Sequence, residues 1–117
     1  MNERPPGCAS NPIIIFPLTE STRTDLVSVL KALADDTRLE VFRLIAGQTE
    51  PLCVCDIVDR FSVGQSTISH HLKVLRDAGL ITVSRQANWA FYQTDPHAFD
   101  LIRKHLQVLV PNLASIR

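Results

Sequence analysis

Apolar residues recur at helical spacing in five places along the chain. Leu26, Leu30 and Leu33, with Val27 beside them, put a stripe on a first helix over 24–33. Asp35 and Asp36 can cap a second helix, where Thr37 and Glu40 have capping-box spacing, and Leu39, Phe42, Ile45 and Ala46 carry it to Gly47. After a loop to Pro51, Val54, Ile57, Val58 and Phe61 mark a short third helix, and Ser62, Val63 and Gly64 form a tight connection. The fourth helix, over 65–78, turns Ile68, Leu72 and Leu75 inward. It ends at Gly79, suited to a left-handed residue, with Leu80 closing the cap. Alternation of period 2 then takes over, with Ile81 and Val83 against Thr82 and Ser84, a tip at Ala87 and Asn88, and a return from Trp89 to Gln93. Asn88 is the tip residue expected to hold a positive φ. Phe99, Ile102, Leu106 and Leu109 mark a last helix that stops before Pro111.

Two short helices joined by a three-residue turn and followed at once by a β-hairpin are the order of a winged helix-turn-helix, mainly α with a β-hairpin wing. The outward face of the fourth helix carries Gln65, Ser66, Thr67, Ser69, His70, Lys73 and Arg76, with no acid before Asp77. Hydroxyls, an amide, an imidazole and bases can meet base edges and phosphates in a major groove without repulsion. The first turn adds free backbone N–H groups for a phosphate. Arg85 and Asn88 on the hairpin can reach a neighbouring groove or the backbone. His71, beside the inward Leu72, reads as a packing or phosphate-side residue rather than a metal ligand. A polar helix face alone is as readily a solvated surface. The order of the elements gives it a DNA-reading sense.

At 117 residues one domain is expected, with a modest core. Four of the seven prolines lie in residues 1–19, which read as a flexible, irregular arm ahead of a domain over 20–117. Ile13 to Phe16 are too apolar for a free tail and are expected to dock on the body. No apolar run approaches the ~20 residues that span a bilayer, and none near the start reaches the length of a secretory core. The reading is a cytoplasmic protein with no membrane partner. Three cysteines, two of them only two residues apart, are not a disulfide framework, so reduced thiols are expected. The formal charge of zero conceals a polarity: residues 20–59 carry eight acids and four bases, residues 60–117 seven bases and three acids. A chain so divided can turn a basic face to phosphates while staying neutral overall. No nucleophile stands in a recognisable setting of base and orienter, and Cys-x-Cys lacks thioredoxin spacing, so neither catalysis nor an organic substrate is expected.

The runs Ala32-Leu33-Ala34-Asp35-Asp36-Thr37-Arg38-Leu39, Leu52-Cys53-Val54-Cys55-Asp56, Gln65-Ser66-Thr67-Ile68-Ser69-His70-His71-Leu72 and Leu75-Arg76-Asp77-Ala78-Gly79-Leu80 resemble the ArsR/SmtB family of metal-responsive repressors. The resemblance covers about residues 24 to 110. It implies a homodimer built from the first and last helices, here through Leu26, Leu30, Phe99, Ile102, Leu106 and Leu109, bound to a palindromic double-stranded operator and released by metal. The family's zinc site on the last helix needs an Asp-x-His pair and a second pair about eleven residues on. Asp95 and His97 match the first half, and Val108 and Pro111 stand at the second. His105 is out of register and is expected to be solvated.

Cys53 and Cys55 are the expected ligands. Soft thiolates take thiophilic ions, and Cys-Val-Cys-Asp resembles the branch that senses As(III) and Sb(III), with a related branch for Cd(II) or Pb(II). In the arsenical branch a third cysteine often follows three residues after the second; here that position is Val58. Cys8 on the arm can supply the third thiolate, from the same subunit or the other, and a trigonal S₃ set favours As(III) or Sb(III) as inducer. Residues i and i+2 of a helix point ~200° apart. Two sulfurs so placed require the third helix to unwind before they share one ion, and that unwinding is the expected switch. A thiol-redox repressor is the competing reading.

Overall fold

The computed structural model describes residues 12–112. Its elements are α1 (Glu20–Leu33), α2 (Asp36–Ala46), β1 (Leu52–Cys53), α3 (Val54–Val58), α4 (Gln65–Asp77), β2 (Ile81–Gln86), β3 (Trp89–Thr94) and α5 (Ala98–Leu109). The expected winged helix-turn-helix order is present. Helix α1 begins four residues before the start expected at Thr24, because the Thr19 hydroxyl accepts from the Thr22 amide and caps it. Asp35 caps α2 by accepting from the Arg38 amide at 2.9 Å. Glu40 faces Arg43 instead of closing a box with Thr37. The inward residues of α2 are Val41 and Ile45, while Leu39 lies exposed.

Helix α3 ends at Val58 rather than Phe61, so the connection to α4 is longer than three residues. The end of α4 matches the sequence reading: Gly79 takes φ +83°, its amide donates to the Arg76 carbonyl, and the Leu80 amide donates to the Leu75 carbonyl. Leu80 is then fully buried. Ile57, Ile68, Leu72, Leu75, Leu80, Ile81 and Val41 form the centre of the core.

The sheet has a third strand that periodicity did not reveal. Its order is β1-β3-β2, all antiparallel, with Leu52 opposite Tyr92 and Cys53 opposite Phe91. At the wing tip the positive φ belongs to Ala87, at 55°, and not to Asn88. The two-residue loop between Gln86 and Trp89 fixes which corner must turn left-handed.

Three expectations about burial are corrected. Ile13, Ile14, Ile15 and Phe16 stand exposed, Ile13 at 86%, rather than docked on their own chain. Leu26, expected at the subunit interface, is 6% exposed because it shares the inward face of α1 with Val29 and Ala32. Val27 and Leu30 face outward instead. His105 is 5% exposed, and neither ring nitrogen has a partner among the described residues.

Two stability outcomes follow. Ala87→Gly removes the left-handed strain of an L-residue and should raise stability by ~0.5–1 kcal/mol, read as a higher Tm. His105→Leu keeps an apolar fill and removes an unsatisfied buried group, so it should gain about 1 kcal/mol in a denaturant melt; a loss would mean the ring finds a partner in the assembled protein.

Candidate functional site

The outward face of α4 exists because its inward face is fully used. Ile68, Leu72 and Leu75 are at most 1% exposed, which leaves Gln65, Ser66, Thr67, Ser69, His70, Lys73 and Arg76 on the solvent side. Gly64 caps α4 without a side-chain hydrogen bond, so the first-turn amides remain available to an anion. Arg85 and Asn88 are exposed on the wing beyond the body of the domain, next to the half-exposed Trp89. The two bases of α4 are held back by one acid. Lys73 Nζ lies 2.9 Å from Asp77 Oδ2, and Arg76 Nη2 lies 3.5 Å from Asp77 Oδ1. The Lys73 hydrogen bond, with help from both positive charges, holds the Asp77 carboxyl below its ordinary 3.8.

His71 sits on the buried side of the same helix, as the packing alternative required. Its partners, Arg38 and Asp35 on α2, are functional candidates that pattern reading missed; the Asp-x-x-Arg spacing at the start of α2 was the available signal.

The thiol pair departs from expectation in an instructive way. Cys53 and Cys55 do not lie on one helix. Cys53 is the last residue of β1 and the N-cap of α3, with φ −65° and ψ 144°, and Cys55 lies in the first turn. The extended residue swings its side chain back over the helix start, and the two Sγ atoms are 2.7 Å apart. No unwinding is needed to bring them together, which overturns the helical-spacing argument for the switch. Cys53 is buried and Cys55 exposed. The neighbouring Cys53 thiol, then desolvation and the Asp56 charge, push the Cys55 thiol above its ordinary 9.0. Among the described residues no group of three or more His, Cys, Asp or Glu could hold a metal ion. Cys8, the expected third ligand, lies outside the described residues.

On the far side, α1 and α5 present Val27, Leu30, Phe99, Leu106 and Leu109 to solvent, Phe99 at 75%, with Ile102 half-buried among them. Phe99, Ile102 and Leu106 line an apolar hollow of about 310 Å³. Among the described residues no helix is long and apolar enough to cross a membrane.

Residues 35–83 match the family described as "Bacterial regulatory protein, arsR family". The chain is 35% identical over 85 residues to the arsenical resistance operon repressor of Staphylococcus xylosus, covering 73% of this chain and 80% of that one. It is 34% identical over 99 residues to the repressor of the same description from Escherichia coli K12, covering 75% and 84%. In fold it is similar to a homodimeric winged helix-turn-helix DNA-binding domain from Mycobacterium bovis, with a TM-score of 0.61 at 23% identity, covering 83% of this chain and 88% of that one.

Asp77→Asn should free Lys73 and Arg76 for phosphates. Duplex affinity should rise by roughly threefold, and the slope of log K against log salt should steepen by up to about one. Because the Asp77 pKa is depressed, its ion pairs are present above 3.8 and are lost only as pH falls through the lower value. The gain should therefore be constant across the neutral range of an anisotropy titration.

Proposed function

The chain belongs to the arsR family of bacterial regulatory proteins, as a transcriptional repressor and not an enzyme, and from that premise we propose that it holds operator DNA as a homodimer and releases it when As(III) or Sb(III) bonds its cysteines. The observation that carries the reading is the Sγ–Sγ distance of 2.7 Å at the β1–α3 junction. Two soft donors already adjacent favour a thiophilic ion. The relatives described as arsenical resistance operon repressors point to the same inducer. In the dimer, α1 and α5 of the two copies meet through Leu30, Phe99, Ile102, Leu106 and Leu109, with Val27 added; the homodimeric Mycobacterium bovis domain supports this assembly. The reading faces of α4, with Arg85 and Asn88 of each wing, then meet successive grooves of a palindromic duplex.

Cys8 provides the third thiolate. The eleven residues from Cys8 to Thr19 allow a reach of up to roughly 35 Å when extended, toward the Cys53–Cys55 pair of the same subunit or the other. Ligation acts through the strand rather than through unwinding. Cys53 pairs with Phe91, so a shift of β1 pulls directly on the wing, and the same junction carries Ile57 into the core beneath α4. The close sulfurs also favour a second reading, a thiol-redox repressor whose Cys53 and Cys55 oxidise; a Cd(II) or Pb(II) sensor is the remaining variant of the first.

The test is fluorescence anisotropy of a labelled duplex selected by the chain from a random pool. Arsenite under argon should release the DNA. Cys53→Ser and Cys55→Ser should abolish release, and Cys8→Ser should raise the arsenite needed by about tenfold or more, or about 1.4 kcal/mol. Release by peroxide alone would favour the redox reading. Proton counting separates the ions: arsenous acid loses each hydroxyl as water with one thiol proton and leaves pH unmoved, whereas Cd(II) or Pb(II) expels a proton per thiol. Trp89, the one tryptophan, lies two residues from Phe91 on the same sheet face. Its emission should change with arsenite even without DNA.

A further inference from the structure

Arg38 joins three helices through one planar group. Its Nε donates to the Ala32 carbonyl at 2.6 Å and its Nη2 to the Lys31 carbonyl at 2.8 Å. The Ala32 carbonyl near the end of α1 is thereby satisfied, and the Lys31 carbonyl, which also accepts the Ala34 amide at 3.4 Å, gains a second donor. Its Nη1 lies 3.2 Å from Nδ1 of His71, on the buried side of α4. A guanidinium has donors only, so the imidazole must accept at Nδ1 and carry its proton on Nε2. That Nε2 lies 3.8 Å from Asp35 Oδ2, too far for a hydrogen bond but close enough for its N–H dipole to favour the carboxylate. Asp35 is itself fixed, because the same oxygen accepts from the Arg38 amide.

We propose that His71 is a positioning residue for DNA binding that works only as the neutral Nε2–H tautomer, holding α4 through Arg38 at a fixed rotation against the end of α1. A second proton on the ring turns the acceptor into a donor facing other donors, and α4 loses that anchor. Its outward neighbour His70 and the rest of the reading face turn with it. This role rests on the operator-binding reading and adds its dependence on acidity.

The groups facing His71 set the direction. Burial comes first and lowers its pKa from the ordinary 6.5; Asp35 opposes, and Arg38 and His70 reinforce. From α1, the Lys31 and Ala32 carbonyls are turned to Arg38. A depressed pKa means that the anchor is intact above 6.5 and is lost as pH falls through the lower folded-state value.

Long-range proton–nitrogen NMR on the full chain should show His71 as the Nε2–H tautomer at neutral pH. On the selected duplex, wild-type affinity should fall at least tenfold on acidification well below 6.5, with dimer mass and circular dichroism unchanged. His71→Asn keeps an acceptor where Nδ1 stood, so it should bind within about threefold of wild type and lose the pH dependence. His71→Leu keeps volume but no acceptor and should bind at least tenfold more weakly at every pH. An Nδ1–H tautomer, a His71→Leu chain that binds like wild type, or a His71→Asn chain as acid-sensitive as wild type each overturns the proposal. If His71→Leu does not fold, the tautomer and His71→Asn decide. His70 is present in all three chains, and its protonation strengthens phosphate contact, which is the opposite sign. A pool from which the wild-type chain selects no duplex overturns the operator reading itself, and this role with it.

Discussion

The packing of one helix face decides most of what this chain can do. Ile68, Leu72 and Leu75 of α4 are sealed against Val41, Ile45, Ile57, Leu80 and Ile81. Each such side chain contributes ~1.5–3 kcal/mol by leaving water. Rotating the helix would expose all three together, so its azimuth is held stiffly. The polar face is consequently presented as a unit, and the left-handed turn at Gly79 sends the chain straight into the wing. Any signal that alters DNA binding must act on this packed face or on the wing.

The thiol pair lies opposite the wing through Cys53 and Phe91, and close in chain to Ile57, which is buried with the α4 face. Had the two cysteines, two residues apart, both lain within a regular helix, ligation would have had to break backbone hydrogen bonds first. With Cys53 extended at the N-cap, the sulfurs meet without that cost, and the work of the proposed ligation would be transmitted elsewhere. The nearest outlet is the ladder between β1 and β3, only two residues long. A pairing so short is the part of the sheet most easily shifted, and coupling of 1–3 kcal/mol, the range usual for allosteric effectors, suffices to change occupancy of a site by 5–150-fold.

Strong periodicity made the order of the helices, the inward face of α4 and the cap at Gly79 readable before any coordinates. What escaped was short or non-local. A two-residue strand has no period, and its partner Phe91 lies far along the chain. The correct face of α1 depended on Val29 and Ala32, small residues outweighed in the pattern by Leu30 and Leu33. The burial of His105 and the left-handed Ala87 run against residue preference, so tertiary packing and loop length settled them. Site residues chosen for chemistry on the α4 face are exposed as expected, but their mutual restraint through Asp77 needed the i,i+4 geometry to be seen.

Arg38 shows why a domain this small can integrate two inputs. On the proposed reading helix α1 offers its outward stripe to a second copy, while its Lys31 and Ala32 carbonyls accept from Arg38. The guanidinium converts the position of that helix end into a restraint on His71, hence on α4. On the proposed reading, inducer at the β1–α3 junction would reach α4 from the side of α3 and the wing, while subunit assembly and protonation would reach it from the side of α1 and α2. The two routes meet in one packed cluster, where Val41 and Ile45 of α2 and Ile57 of α3 lie against α4, so their free energies should couple there. An operator complex weakened slightly by one would then be released by less of the other.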